Sequence, residues 1–199
     1  MTDKPHDVSI PIDEINAGER LHFFRALLGC NCNLPANERA MALAWMLHLV
    51  GDIHQPLHTS GRVTTFPGES HGDAGGNLFK LEPGPNPQKN LHSYWDQIID
   101  NYILRQSNEN YRQYIERLSE ELEHDYPPST FNGTLKPGKI DEWILESLGK
   151  AKANAYPEEL DRKEWPKPEY GKKNVELSRG SIAQAGYRLA NMLSQLFGS

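Results

Sequence analysis

The sequence predicts an all-α chain whose helices are joined by long irregular loops. Three observations carry this expectation. Apolar residues recur at helical spacing in segment after segment. Glycine and proline punctuate the stretches between those segments. Only one short piece, Asn77 to Leu81, reads as extended. At 199 residues, the expected organisation is one domain over 1–199, large enough for a real core. There is no internal repeat at solenoid period and no low-complexity tract.

The first helix is expected from about Ile12 to Leu28, with Ile15, Leu21, Phe24 and Leu28 as an imperfect apolar face. Cys30 and Cys32 follow in GCNCN. One intervening residue suits a disulfide poorly, and a single CxC pair is a weak metal signal. Both cysteines therefore read as loop or helix-end residues. The second helix begins near Leu34–Pro35, where Pro35 suits a first turn. Ala40, Leu43, Ala44 and Leu47 then follow the i, i+3, i+4, i+7 rule. Nine of the ten residues from Met41 to Val50 are apolar, the exception being His48. A helix apolar all round is a buried helix, so His48 is expected to be buried.

Asp52 lies one turn beyond His48 on the same face. Alone, the pair favours a histidine satisfied by a carboxylate in the core over two metal donors. It is not alone. Gly51 loosens the helix end, and Pro56 stops the helix from continuing regularly, so His58 is delivered on a new course. His92 and Asp96 then repeat the histidine–carboxylate spacing. Two His-x-x-x-Asp pairs and a loop histidine supply five nitrogen and oxygen donors, a set that suits zinc. The competing reading is a chance collection of core histidines. His54, in DIHQ, reads as a residue capping the helix end.

Between His58 and His92 the chain is loop-like, punctuated by Gly61, Pro67, Gly68, Gly72, Gly75, Gly76, Pro83, Gly84, Pro85 and Pro87. A loop of this length inside a domain is usually functional. Gly75 and Gly76 would let the backbone approach a ligand closely. His71 and Asp73 could touch substrate or metal, although a solvated loop is the plainer expectation. A third helix is expected from about Asn90 to Arg105, with Trp95, Ile98, Ile99 and Tyr102 as its core face and His92 and Asp96 in its first two turns. A fourth runs from about Glu109 to Glu123, with Tyr111, Ile115, Leu118 and Leu122 on one stripe. Tyr111 and Tyr114 read as packing residues, and Glu120, Glu121 and Glu123 as a solvated face. A Pro/Gly-rich connector over 126–139 leads to a helix from Ile140 to Ala155, with Trp143, Ile144 and Leu148 inward. After an irregular stretch, the last helix is expected from about Val175 to Phe197, with Ile182, Ala185, Leu189, Met192 and Leu196 on one stripe. Gly186 would permit close packing there.

HLVGDIHQPLH, GGN and NLHSYWD, in that order, resemble the S1/P1 nucleases, which share the phospholipase C/P1 nuclease fold. AGYRLANML looks like that family's last helix, and the resemblance runs from about residue 36 to the end. It implies an all-helical enzyme with a cluster of three zincs that cleaves phosphodiester bonds in single-stranded RNA and DNA and removes 3′-phosphates from nucleotides. Residue by residue, His48 resembles a ligand of one member of a close zinc pair, and Asp52 the carboxylate bridging that pair. His58, His92 and Asp96 resemble the complete protein ligand set of the third zinc. Asn77 resembles an asparagine beside the scissile phosphate, where it would hold an oxygen as charge develops. Asp52 and Asn77 are thus the implied catalytic residues.

The family also places zinc ligands upstream: an N-terminal tryptophan, a histidine close behind it, then an aspartate and a second histidine. No tryptophan here precedes Trp45, and neither His6 in KPHDVSIP nor His22 in ERLHFFRALL fits those motifs. The N-terminal part of the domain is therefore expected to be missing, and the close zinc pair to lack most of its ligands. No signal peptide stands at Met1 and there is no transmembrane run, whereas the resemblance implies a secreted or periplasmic protein. The net charge of −6 makes a poor clamp for duplex nucleic acid, but leaves room for a single-strand or nucleotide substrate held by metal. Two alternatives stand beside a nuclease: a degenerate, non-catalytic zinc-binding member, and a phospholipase C. Asn132 opens an Asn-x-Thr sequon relevant only in a eukaryotic secretory setting.

Overall fold

The computed structural model describes residues 13–30, 32–82 and 89–198. His6 and the loop residues Pro83, Gly84, Pro85 and Pro87 lie outside them. Among the described residues the expected all-α class holds. Seven α-helices and two short 3₁₀ turns are joined by irregular segments, and the one β-bridge pairs Lys80 with Asn90.

Helix α1 (Ala17–Gly29) starts where the Asn16 side chain accepts the Glu19 N–H, an ordinary N-cap. It buries Leu21 and Leu28. Helix α2 (Ala36–Asp52) starts after Pro35 and buries Ala42, Met46, Leu49 and Val50 against α1 and α7. The 3₁₀ turn Pro56–Thr59 follows. Helices α3 (Leu91–Asp96) and α4 (Ile98–Tyr102) are two pieces of the expected third helix, which breaks at Gln97. Asn90 caps α3 by accepting the Ser93 N–H. Helix α5 (Tyr111–Asp125) opens with a capping box between Asn110 and Gln113. A second 3₁₀ turn (Pro128–Phe131), α6 (Ile140–Asn154) and the long α7 (Pro168–Phe197) complete the chain.

Two apolar clusters form the core. One gathers Leu21, Met46, Val50, Ile140, Trp143 and Met192 from α1, α2, α6 and α7. The other gathers Leu57, Phe79, Leu91, Tyr94, Trp95 and Ile98 around α3, α4 and the long loop. Helix α7 serves both, through Met192 in the first and Val175 in the second.

Several expectations are corrected. Helix α2 is not buried all round: Met41, Trp45 and Leu47 are 56%, 49% and 44% exposed, and His48 is exposed with them. Neighbouring helices cover a single stripe of α2, and nine apolar residues in ten are more than one stripe holds. Trp45 lies instead across the face of Phe24 and against the edge of His48. On α5 the buried aromatic is Tyr114, while Tyr111 and Ile115 face solvent. The Tyr114 hydroxyl donates to Asp100 and to the Ile103 carbonyl, which anchors the helix by its polar end. Helix α7 begins at Pro168, not Val175. Proline suits the first turn, and Gly171 packs so tightly on the Tyr102 and Tyr94 hydroxyls that any side chain there would collide. Ile182 is exposed and nothing approaches Gly186, whereas Ala185 is buried as expected and Ala183 and Arg188 are buried beside it. Cys30 and Cys32 are joined in a disulfide, their Cα atoms 5.2 Å apart, against the expectation that they stay unpaired. Their separation falls within the range a disulfide spans, which one intervening residue permits when the chain turns at a helix end.

The loop between His58 and His92 is ordered by buried carboxylates. Asp73 is wholly buried; its Oδ1 accepts the Arg62 N–H and its Oδ2 the Tyr156 hydroxyl at 2.6 Å. Glu69 is 1% exposed and accepts the Thr64 hydroxyl and the Arg162 guanidinium. Asp73 is therefore a structural anchor, neither a solvated loop residue nor a ligand contact; His71 alone of that pair is exposed. Gly75, at φ +62, brings its backbone against the Pro56–Thr59 turn: a Cβ there would stand 2.3 Å from the Leu57 carbonyl oxygen. Gly76, at φ +85, would place one 3.2 Å from the His92 nitrogen. The two glycines serve a backbone-to-backbone approach.

Between the clusters sits a buried polar chain. The Nδ1 of His54 donates to the Val50 carbonyl at 2.7 Å, so its Nε2 accepts from Arg188 at 2.8 Å. Arg188, 1% exposed, also donates to the Thr134 carbonyl and to Glu146, which Lys150 meets at 3.2 Å. Burial, reinforced by the neighbouring Arg188 charge, lowers the His54 pKa to about 4.

Two predictions follow from these contacts. Unfolded, His54 titrates near 6.5; folded, it resists protonation down to about 4. The unfolded state therefore binds more protons across that window, and stability is lost as pH falls through it. Urea melts should show His54 contributing a loss of about 2 kcal/mol between pH 7 and pH 5, smaller in His54→Gln. Gly75→Ala forces a side chain into a left-handed conformation and into the Leu57 carbonyl. It should destabilise the fold by about 1–3 kcal/mol or more in the same assay, whereas Gly61→Ala, in open space, should change little.

Candidate metal centre

Three elements converge at the centre. The C-terminal turn of α2 carries His48 and Asp52, the 3₁₀ turn carries His58, and α3 carries His92 and Asp96. Pro56 is why His58 is there. It ends helical continuation after α2 and starts the tighter turn, which Gln55 caps by accepting the Leu57 N–H. The i, i+4 spacing of His92 and Asp96 then places both on one face of α3.

His58 Nε2 lies 3.2 Å from Asp96 Oδ1, and His92 Nε2 lies 3.5 Å from Asp96 Oδ2. The two imidazole rings stand 4.7 Å apart, centroid to centroid. One donor atom from each of His58, His92 and Asp96 lies within 4.8 Å of the others, and among the described residues no other trio of such groups comes together. The donor chemistry fits zinc. Bonds of about 2.0–2.1 Å in a tetrahedral site put neighbouring donors about 3.3 Å apart, close to both histidine–carboxylate separations here. Three protein donors would leave a tetrahedral zinc one open position, the pattern of catalytic sites.

The surroundings prepare these groups. His92 Nδ1 donates to the Gly75 carbonyl at 2.8 Å, which leaves Nε2 as the nitrogen with a free lone pair. The hydrogen bond to Asp96 raises the His58 pKa; burial opposes this, and the charges of Asp52 and Asp96 add to it. Burial pushes the Asp96 pKa up, but the bonds from His58 and Gln55 and the nearby histidine charges outweigh it and hold the carboxyl below its usual range. A carboxylate that stays ionised beside histidines is ready to bind a cation.

His48 and Asp52 form a second, thinner grouping. His48 Nε2 is 3.1 Å from Asp52 Oδ2, and His58 Nδ1 is 3.9 Å from the same oxygen. Asp52 thus stands between His48 and the trio. Asn77 is not in the cluster. Its Nδ2 donates to the Ala74 carbonyl at 2.8 Å, in the loop whose Gly75 carbonyl holds His92. His22, on α1, meets Asp141 on the surface and is not among these donors. A groove of ≈ 250 Å³ opens beside the centre, lined by Asp52, Gln55, His58, Trp95, Asp96 and Ile182 among others.

Of the five donors marked by spacing, the structure gathers His58, His92 and Asp96 in one group; the contacts that support them are not marked by spacing. Gln55, between a helix end and a proline in a histidine-rich motif, was one available signal. The glycine type of Gly75 signals a close backbone approach, but not that its carbonyl accepts from His92. No helix of the described residues is long and apolar enough to cross a membrane.

Comparison with known proteins agrees with the motif. Endonuclease 1 of Arabidopsis thaliana is 29% identical over 164 residues, covering 78% of this chain and 49% of that protein. Endonuclease 3 of the same plant is 30% identical, covering 78% of this chain and 51% of that protein. The chain thus spans about half the length of the curated relatives it matches. The S1/P1 Nuclease profile matches residues 22–198, nearly all of the chain. With its all-α, phospholipase C/P1 nuclease-like fold, the chain belongs to the S1/P1 nuclease family.

Proposed function

We propose that this chain is a zinc-dependent phosphodiesterase acting on single-stranded RNA and DNA, with 3′-nucleotidase activity as a related capacity. The observation that carries the reading is the trio His58, His92 and Asp96, three donors at zinc spacing with their outer contacts in place. Membership of a nuclease family and similarity to endonucleases supply the substrate class.

Bound zinc supplies a Lewis acid that neutralises phosphate charge and makes water acidic enough to attack near neutral pH. His58 and His92 present neutral nitrogens to it, and Asp96 supplies negative charge. His58 must shed its proton first, so metal binding weakens as pH falls. Asp52, with His48, would hold a second cation beside the trio. Asn77 turns its amide from the Ala74 carbonyl to a phosphate oxygen when substrate arrives. The groove beside the centre accommodates the portion of substrate next to the phosphate. Secretion or periplasmic placement goes with this reading, as does a single domain over 1–199.

A second reading has its own observation. His48 and Asp52 are only two donors, and no third joins them as a separate site among the described residues. On that reading the chain keeps the trio's zinc for folding or phosphate binding and turns nothing over.

The deciding experiment pairs elemental analysis with a cleavage assay on single-stranded substrate. The nuclease reading expects zinc in the purified protein, cleavage removed by chelation, and loss of both zinc and cleavage in His92→Ala. Zinc retained without turnover would select the non-catalytic reading. Absence of zinc after incubation with the metal would sink both.

A further inference from the structure

Gln55 does two things with one amide. Its Oε1 accepts the Leu57 N–H, which caps the turn carrying His58. Its Nε2 donates to Asp96 Oδ1 at 2.8 Å, on α3. The two partners settle the orientation of the amide: a backbone N–H must face its oxygen and a carboxylate must face its nitrogen. No other residue type of this length offers one donor and one acceptor. Glutamate would set a carboxylate against Asp96, and lysine would leave the turn uncapped.

We propose that Gln55 is the positioning residue of the zinc centre, fixing the Asp96 carboxylate relative to His58 before metal arrives. This rests on the reading of His58, His92 and Asp96 as a zinc site. His58 and Asp96 sit on separate elements, a short turn and a short helix, each too small to hold its own place by helix formation alone. Their donors are useful only at a separation near 3.3 Å, and the observed one is 3.2 Å. The Gln55 side chain ties those two elements together directly through polar atoms at the ligands. Gly75 acts from the opposite side, tying its loop to His92. Without Gln55 the Asp96 carboxylate keeps its histidine contacts but loses the neutral donor that sets its plane. Losing an outer contact of this kind typically costs about 10–100-fold in metal affinity.

The test separates clamp from cap. Gln55→Ala removes both contacts. Gln55→Ser keeps a hydroxyl that can accept the Leu57 N–H two residues on, but cannot reach Asp96. Zinc dissociation constants are measured by competition with a chromophoric chelator, alongside urea melts of the metal-free proteins and the absorption spectrum of cobalt-substituted forms. The proposal expects both variants to bind zinc about 10–100-fold more weakly than wild type and to share an altered cobalt spectrum. It expects the metal-free serine variant to melt like wild type. Wild-type affinity in Gln55→Ser would show that Gln55 is only a cap and overturn the proposal, as would unchanged affinity in both variants. A wild-type chain that binds no zinc would overturn the zinc reading itself, and the proposal with it.

Discussion

The candidate centre depends on one close approach, that of the Gly75–Gly76 backbone to the Pro56–Thr59 turn. Neither the turn nor α3 is long enough to be stable alone. The loop wedges between them, its Gly75 and Gly76 backbone where side chains would collide with Leu57 and with the start of α3. Once it is in place, the Gly75 carbonyl orients His92, and the distance from α3 to the turn is set. The loop is held in turn by Asp73, whose two carboxylate oxygens accept from Arg62 and Tyr156, and by Glu69, whose Oε2 accepts from Thr64 and Arg162. Buried charge is costly unless partnered, so these contacts admit few alternative loop paths. An irregular segment thereby positions a functional group through buried polar contacts as well as through its own core residues Phe79 and Leu81.

The second constraint is the polar chain from His54 through Arg188 to Glu146 and Lys150. It joins the end of α2 to α6 and α7, beneath the turn that bears His58. A guanidinium at 1% exposure is tolerable only because a carboxylate, a carbonyl and a neutral imidazole all face it. His54 must stay neutral for this to work, since its Nε2 has to accept. The position of the α2 terminus is therefore coupled to a protonation state as well as to packing. The same DIHQPLH segment supplies a buried structural histidine and an exposed candidate ligand four residues apart.

The order of helices was legible because amphipathic spacing and Gly/Pro punctuation are local signals, and the donors were legible because their i, i+4 spacing is local too. What failed was everything that depends on which neighbour covers which face. Helix α2 reads as buried from nine apolar residues, yet Trp45 and Met41 are exposed, because composition states that a face is apolar and not that another element lies over it. Tyr114 and not Tyr111 is buried because Asp100 and the Ile103 carbonyl give its hydroxyl a partner, which no periodicity encodes. The start of α7 is not legible because the turn that Pro168 opens fits only where Gly171 meets the Tyr102 hydroxyl, far away in sequence. Asp73 reads as a loop residue open to solvent for the same reason: its partner Tyr156 lies four helices further along the chain.

The two groupings of donors differ in how they are assembled, and this bears on what the chain can do. Every ligand of the trio, with Gln55 and Gly75, comes from the stretch between residues 55 and 96, so closing the centre requires no contact with a distant element beyond the loop's own anchors. Such a site can form wherever that stretch folds. His48 and Asp52 sit on one helix, and a single helix face offers a metal two donors and no more. Any further donor must come from another element, and His48 is exposed on the side where α2 lacks cover among the described residues. The lack of cover over α2 and the thin donor set at its end are thus one structural fact. The trio carries the zinc assignment independently of it, while a second cation beside Asp52 depends on what meets that face.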